Sequence, residues 1–203
     1  MKKFFLLFCF IFYLVNLFAQ GSDSSNRKDK IGLTVSVLGE SDIFRFQKLD
    51  GDARYDSRRF ITFGVNYLHA INKRLDIETG MEFSSFSTTR YPGVNPDADL
   101  TPSFGDLNSL TIPVTVRAIF WKYFYVNGGV LVDMDISKSS GIDSQSGIGS
   151  MLGFGWKYEF NSGWEITINP YSKLHSMISF SNSMYPQRFL ESGIRLGAMI
   201  PLK

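Results

Sequence analysis

The chain has 203 residues, with 21 Lys and Arg against 19 Asp and Glu and a single cysteine. That length suits one domain. The balanced, unclustered charge excludes a nucleic-acid footprint, and Cys9 alone cannot supply a disulfide framework or a thiolate metal cluster.

The first element in chain order is an export signal. Lys2 and Lys3 give a basic start, Phe4 to Leu17 is almost wholly apolar, and Phe18-Ala19-Gln20 offers a small residue for cleavage. Cys9 lies inside the apolar run between Phe8 and Phe10, so it reads as part of the signal and not as a lipid attachment point. With residues 1–19 removed the chain is neutral, 19 basic against 19 acidic, because the signal takes Lys2 and Lys3 with it. Residues 20–30 read as a short periplasmic segment and 31–203 as the folded domain.

From Ile31 onward the hydrophobic period is two, which is the period of a strand with one apolar face. The first strand sets Ile31, Leu33, Val35 and Val37 against Gly32, Thr34 and Ser36. The second sets Ile61, Phe63, Val65 and Tyr67 against Phe60, Thr62, Gly64 and Asn66. After the turn Ala70 to Lys73, the third sets Leu75, Ile77, Thr79, Met81 and Phe83 against Asp76, Glu78, Gly80 and Glu82. The fourth runs from about Leu107 to Phe120, and the fifth from Phe124 to Asp135 with Tyr125, Asn127, Asp133 and Asp135 on its polar face. The sixth has Ile148, Leu152, Phe154, Trp156, Tyr158 and Phe160 opposite a face of Gly149, Gly153, Gly155, Lys157 and Glu159. Asn161-Ser162-Gly163 is a hairpin turn. The seventh strand carries Glu165, Thr167, Asn169, Lys173 and His175 on its polar face, and the eighth Glu191, Gly193, Arg195 and Gly197.

Long links (39–57, 88–106, 137–146 and 179–187) alternate with three short turns, and eight strands return the C-terminus to the side of the N-terminus. Short turns on one side and long loops on the other are the pattern of an outer-membrane barrel. The stretch Leu110 to Met134, the most apolar, is interrupted by Arg117, Lys122, Asn127 and Asp133 and cannot be a membrane helix. A membrane protein without such helices must close its sheet, since lipid offers no partner to an open edge. The expected fold is therefore all-β: an eight-stranded antiparallel up-and-down transmembrane barrel in the bacterial outer membrane. A soluble lipocalin-like barrel is the alternative, because alternation alone does not say which face is greasy.

Two features favour the membrane. The polar face is rich in glycine with scattered charges of both signs, which suits the bore of a narrow barrel better than a solvated surface. The charges expected to pair inside it are Glu78, Glu82, Arg117, Asp133, Asp135, Lys157, Glu159, Glu165, Lys173, Glu191 and Arg195. The aromatics also gather at two levels. Tyr67, Trp121, Tyr123, Trp156, Tyr158 and Trp164 flank the short turns as an aromatic girdle; Phe44, Phe46, Phe86, Tyr91, Phe180, Tyr185 and Phe189 lie near the long-loop ends.

Catalytic chemistry is sparse. An outer-membrane lipid or ester hydrolase would have to use His175 with Ser172 or Ser176 and Glu165, but Ser176, next to His175, is expected on the opposite face. His69 beside a turn reads as an interfacial residue. No metal-ligand spacing or phosphate-binding glycine loop occurs, so no catalytic, metal or cofactor residues are assigned. The loop from Arg90 to Asp106, with Pro92, Pro96 and Pro102 beside Asp97 and Asp99, reads as solvated. Binding in barrels of this type resides in such loops.

The segment Ser109-Leu110-Thr111-Ile112-Pro113-Val114-Thr115-Val116-Arg117, followed by Phe120 and by Tyr125-Val126-Asn127-Gly128-Gly129, resembles the PorT-like outer-membrane β-barrel proteins of Bacteroidetes. The signal ending Phe-Ala-Gln is similar too. The resemblance implies an outer-membrane location and, for some members, a part in type IX secretion. The C-terminal Ile200-Pro201-Leu202-Lys203 departs from the terminal aromatic common in such barrels. Pro113 has no N–H to donate, so it needs a bulge or a locally unpaired position. The expected role is non-enzymatic: structural, binding or accessory to transport or secretion. Its partners would be outer-membrane lipid and a protein met through the long loops, with no nucleic acid.

Overall fold

The structure is a computed structural model that describes residues 27–44, 54–91, 101, 103–137, 143–181 and 187–202. The export signal, Phe46 and Tyr185 lie outside the described residues.

Eight strands form one closed antiparallel barrel in which each pairs with its chain neighbours and the last with the first. They are β1 (Lys30–Phe44), β2 (Arg54–Ala70), β3 (Leu75–Tyr91), β4 (Ser103–Phe120), β5 (Phe124–Asp135), β6 (Gly147–Glu159), β7 (Glu165–Ser179) and β8 (Arg188–Pro201). Closure runs along β1 and β8, from Lys30 opposite Pro201 to Phe44 opposite Arg188. Every edge is thus consumed, which is what a sheet in hydrocarbon requires.

The three short turns and both ends of the barrel share one side. In the β2–β3 turn the Asn72 side chain accepts from the Arg74 and Leu75 amides at 2.8 Å each, replacing a backbone turn with an Asx turn. The β6–β7 turn closes through Gly163, whose φ of +86° an L side chain rarely adopts. The β4–β5 turn is less relaxed: Trp121 and Lys122, both with side chains, take φ of 47° and 68°. That sense matches the twist of a hairpin but is normally left to Asn and Gly.

The strands on the loop side run further than hydrophobic alternation alone suggests. β3 continues past Phe83 through Ser84 to Tyr91, pairing Ser87 with Asp106 and Thr88 with Gly105 of β4. Beyond the lipid, apolar alternation is not needed to hold a strand; the ladder suffices. A spanning strand needs about 9–11 residues, so the 15- to 18-residue β1 to β4 carry the barrel out of the membrane on that side. The outward face changes accordingly, from Met81 and Phe83 to Ser85 and Ser87 on β3, and from Leu38 to Glu40 and Asp42 on β1.

Pro113 is accommodated without a bulge. The β3–β4 ladder lapses between the pairs Thr79–Val114 and Glu82–Thr111 and resumes in the same register, while β5 stays paired through Leu131. Pro170 does the same to the β6–β7 ladder, which lapses between Gly153–Tyr171 and Trp156–Ile168. Each proline turns its missing N–H toward one neighbour and keeps its other side intact.

Burial is inverted relative to a soluble protein. Leu33, Phe63, Val65, Val130, Leu152 and Ile168 are exposed on the outside, whereas Glu82, Arg117, Lys173 and Glu191 are fully buried within. An exterior apolar belt of this extent has no place in water. The soluble lipocalin-like alternative is therefore discarded, and the chain is a membrane-spanning barrel of the outer-membrane type. Leu152, 70% exposed near the middle of β6, gives a direct check. Leu152→Arg should cost about 2–4 kcal/mol of folding stability in lipid bilayers, the depth-dependent penalty for a charge near the midplane. The measurement is urea titration in vesicles, where a change below 0.5 kcal/mol would show that this face does not meet lipid.

Candidate functional site

The polar faces of the strands meet in the bore and fill it with a ladder of alternating charge. At the turn-side mouth, Arg27 pairs with Asp76 at 2.7 Å. Lys30, the first residue of β1, reaches Glu165 of β7 at 2.8 Å and Glu159 at 3.0 Å. Glu165 also accepts from Arg117 of β4 at 2.8 Å and lies 3.7 Å from Lys157. Arg117 stacks over the Tyr125 ring, 4.2 Å from its centroid. The space for that ring comes from Gly155, where a Cβ would collide with Tyr125.

Higher in the bore, Arg195 of β8 bridges Glu78 at 3.1 Å and Glu82 at 3.2 Å, both on β3. Lys173 of β7 joins Glu82 at 2.6 Å and lies 3.6 Å from Glu191. Glu191 also accepts a short hydrogen bond from the Tyr171 hydroxyl and one at 3.0 Å from His175. Asp133 completes the series, accepting from Thr111 at 2.8 Å and standing 3.0 Å from His175. Lys173 and Glu82 stand on strands four apart in a ring of eight, so their contact crosses the lumen; Arg117–Glu165 and Arg195–Glu82 cross it three strands apart. Buried charges survive only when paired and hydrogen-bonded; here pairs across the lumen are joined by pairs between neighbouring strands, such as Lys173–Glu191 and Lys157–Glu165.

Two of the expected interior charges sit elsewhere. Glu159 is 41% exposed at the turn-side rim, because its strand ends there, and it works as an outer partner to Lys30. Asp135 lies at the loop-side end of β5, where its carboxylate accepts from the Ser137 and Gln145 amides at 2.9 and 3.0 Å. It caps loop backbone and joins no salt bridge of the ladder.

Above the ladder the bore is closed by an apolar plug of Phe60, Phe86, Leu107 and Phe189. Phe86 stands edge-on to Phe189 with ring centres 4.4 Å apart and lies 5.5 Å from Phe60. This corrects the reading of Phe86 and Phe189 as interfacial rings of an outer aromatic level. They share the inward phase of Glu82 and Glu191, and inside the protruding section they find an apolar layer of their own. At that end Phe104 and Phe180 are exposed at 84% and 64%. Over the plug, the Asp143 amide donates to the Gln187 side chain at 3.2 Å, and Gln145 donates to the Gln187 carbonyl at 3.3 Å. These contacts tie the β5–β6 and β7–β8 links together.

On the turn side the girdle residues form stacked rows facing outward. Tyr123 lies parallel to Tyr158, Trp156 to Tyr158, and Phe120 and Phe124 pack with Phe154. Tyr67, Trp121 and Trp164 are exposed at the same end. Ahead of β1, Asp29 accepts from the Tyr67 hydroxyl and pairs with His69 at 2.9 Å. Those two hydrogen bonds hold the Asp29 carboxyl below its usual range.

Ser176 requires a further correction. The β6–β7 register shifts between Ile148 and Ser150, and Ser176 takes φ of 48°. The bulge turns Ser176 inward alongside His175, so the two do not face opposite sides. Even so, no hydrolytic set forms among these residues. Both ring nitrogens of His175 face carboxylates, Ser176 Oγ donates to the Ser146 carbonyl at 3.2 Å, Ser172 pairs with Ser192, and Glu165 is held by Arg117 and Lys30. Among the described residues no group of three or more His, Cys, Asp or Glu side chains is placed to hold a metal ion.

Sequence reasoning missed Lys30, the partner of Glu165 assigned to the leading segment, and Tyr171, which shares an inward face with Lys173. Phase alone could have found Tyr171. Lys30 carried no signal, since one buried lysine ahead of an apolar run looks like a solvated residue.

No protein-family model matches the sequence, and no curated protein matches it. Among solved structures, the chain is similar to the outer membrane protein AlkL, determined by solid-state NMR in DMPC lipid bilayers. The TM-score is 0.50 at 10% identity, covering 89% of this chain and 94% of that one. It is also similar to the outer membrane protein OprG from Pseudomonas aeruginosa, at a TM-score of 0.48 and 12% identity over 88% of this chain and 98% of that one. At such identities the likeness concerns the fold, a barrel of the kind found in the outer membrane.

Proposed function

We propose that this chain is a non-enzymatic outer-membrane scaffold that works through its exterior and its loops, not through its lumen, in a structural, binding or accessory secretion role. The observation that carries the reading is the bridged bore. Lys173–Glu82, Arg195–Glu82 and Arg117–Glu165 cross it at successive heights, and the Phe60, Phe86, Leu107, Phe189 layer closes it above. An eight-stranded barrel has room only to fill its interior with side chains, and these side chains are locked to one another. The protruding loop-side ends of β1 to β4 are then the surfaces offered to a protein partner. Under this reading residues 1–19 serve as the export signal. The hairpin from Leu110 to Gly129 supports membership of the PorT-like barrels of Bacteroidetes.

Planar-bilayer recording of the purified, reconstituted protein tests the closed lumen. The expected result is a silent membrane at all holding potentials. Regular single-channel steps from the unaltered protein would overturn the proposal in favour of a pore.

A further inference from the structure

Closure consumes every strand edge at membrane depth, but above it one stretch of edge stays open among the described residues. β4 pairs with β3 without a shift of register from Glu82–Thr111 up to Arg90–Ser103. Its pairing with β5 stops earlier, at Ser109–Asp135. One further rung follows: the Ile136 amide donates to the Asn108 carbonyl at 3.0 Å, and the Asn108 amide donates to the Ser137 hydroxyl at 2.8 Å. The chain then leaves β4. The Ser137 and Gln145 amides turn to the Asp135 carboxylate, and Asp143 and Gln145 are tied to Gln187 over the plug. Among the described residues no strand pairs with this side of β4 above Asn108.

Backbone direction alternates along a strand, so Asn108, Asp106 and Phe104 aim their N–H and C=O groups to the β5 side, while Leu107 and Gly105 serve the ladder with β3. Asn108 is engaged; the amides and carbonyls of Asp106 and Phe104 are offered along the edge. Edges of this kind are normally blunted by a lysine, a proline, a bulge or a covering loop. Phe104 to Asn108 contains neither lysine nor proline, and the unshifted β3–β4 register contains no bulge. The outward face of the edge carries the Phe104 ring, 84% exposed, and the exposed Asp106 carboxylate, which accepts from Ser87 at 3.3 Å. On the inward face Leu107 is anchored in the plug with Phe60, Phe86 and Phe189, so the edge stands on a fixed floor.

We infer that the β4 edge from Phe104 to Asn108 is a strand-addition site, where an extended segment of a protein partner is laid down as one more strand. Backbone hydrogen bonds to Phe104 and Asp106 supply the affinity, and alternate side chains supply the choice. A segment suited to this edge carries an apolar residue beside Phe104 and, two positions away, a lysine or arginine beside Asp106. The site rests on the reading of the protruding β1 to β4 ends as the surface offered to a partner. It fixes the form of that partner as an extended segment and not a folded face.

A phage-displayed library of random nonapeptides, selected against the full-length protein in detergent micelles, provides the test. Selected peptides are expected to place a basic residue two positions from an apolar one. In their synthetic forms, N-methyl groups on one alternate set of amides should abolish binding and on the other set leave it, because only one edge of the peptide faces β4. Asp106→Asn keeps the backbone and should weaken binding about threefold, as for an exposed ion pair. Asp106→Pro also deletes an edge N–H without touching the ladder to β3. It should weaken binding by about a further tenfold, the upper range for one backbone hydrogen bond. Gel mobility before and after heating verifies the fold of each variant, and the N-methylated peptides decide the matter if Asp106→Pro does not fold. No selected peptide, or peptides indifferent to N-methylation and to Asp106→Pro, would overturn the assignment. So would dimers of the purified protein that Asp106→Pro separates, which would give the edge to a second copy. Peptide binding and bilayer recording are independent measurements. Absent peptides with a silent bilayer remove the strand site alone, whereas channel steps remove the scaffold reading whatever the peptides do.

Discussion

Replacing Lys173 with methionine is expected to destabilise the barrel by about 3–5 kcal/mol, the cost of removing one partner from a buried ion pair. Lys173 is fully buried, and its ammonium faces Glu82 at 2.6 Å and Glu191 at 3.6 Å. Methionine keeps much of the volume, so the loss is electrostatic: two carboxylates face each other across the lumen with one cation fewer. Removing the charge of Glu82 as well should return part of that loss. The double variant Lys173→Met/Glu82→Gln is expected to be more stable than the sum of its singles by about 0.5–3 kcal/mol, the coupling of residues in direct contact. Urea unfolding of vesicle-embedded protein, followed by tryptophan emission, measures both quantities. Strict additivity would mean that the pair does not act as a unit.

The second large effect belongs to the plug. Phe86→Ala should cost about 3–5 kcal/mol, the range for truncating a buried phenylalanine. The Phe86 ring is 1% exposed and touches Phe60, Phe189 and His175. The prediction has a second part that a general loss of stability does not share. With Phe86 gone the outer closure opens, yet the bilayer should remain silent, because Lys173–Glu82 and Arg195–Glu82 still bridge the bore below. Conductance in Phe86→Ala would show that the aromatic layer alone seals the lumen. Silence together with the stability loss would show two closures in series.

Much of this architecture was legible because a membrane barrel enforces a strict period of two. Once one side of a strand must be lipid-facing, residues such as Leu152 and Phe154 assign every alternate neighbour to the bore, and Lys157, Glu165, Lys173 and Arg195 follow by counting. The same count would have placed Phe86 and Phe189 inside. Reading them by height along the strand set the rule of alternation aside where it still held. Ser176 was not legible in that way. Between the pairs Ser150–Leu174 and Ile148–Ile178 β7 carries two more residues than β6, and nothing in Leu174-His175-Ser176-Met177 announces that irregularity or its left-handed backbone. Nor could the pattern say which acid meets which base. Glu82 and Lys173 are 91 positions apart, and their contact exists only because the sheet closes. Asp135 and Glu159 were in phase but lay at strand ends, where an inward direction no longer means a place in the bore.

The placement of the ladder's members along the chain bears on how the barrel is built. Lys30 comes from the first strand, and Arg195 and Glu191 from the last, while their partners Glu165, Glu78, Glu82 and Lys173 belong to strands between them. Until the seam between β1 and β8 zips, Lys30 and Arg195 are held away from several of the acids they neutralise, and a half-rolled sheet in lipid would carry bare charges on its concave side. The last seam is therefore also the step that discharges the interior. Insertion and closure are bound into one cooperative event, in which an incomplete barrel has no comfortable resting place in the membrane.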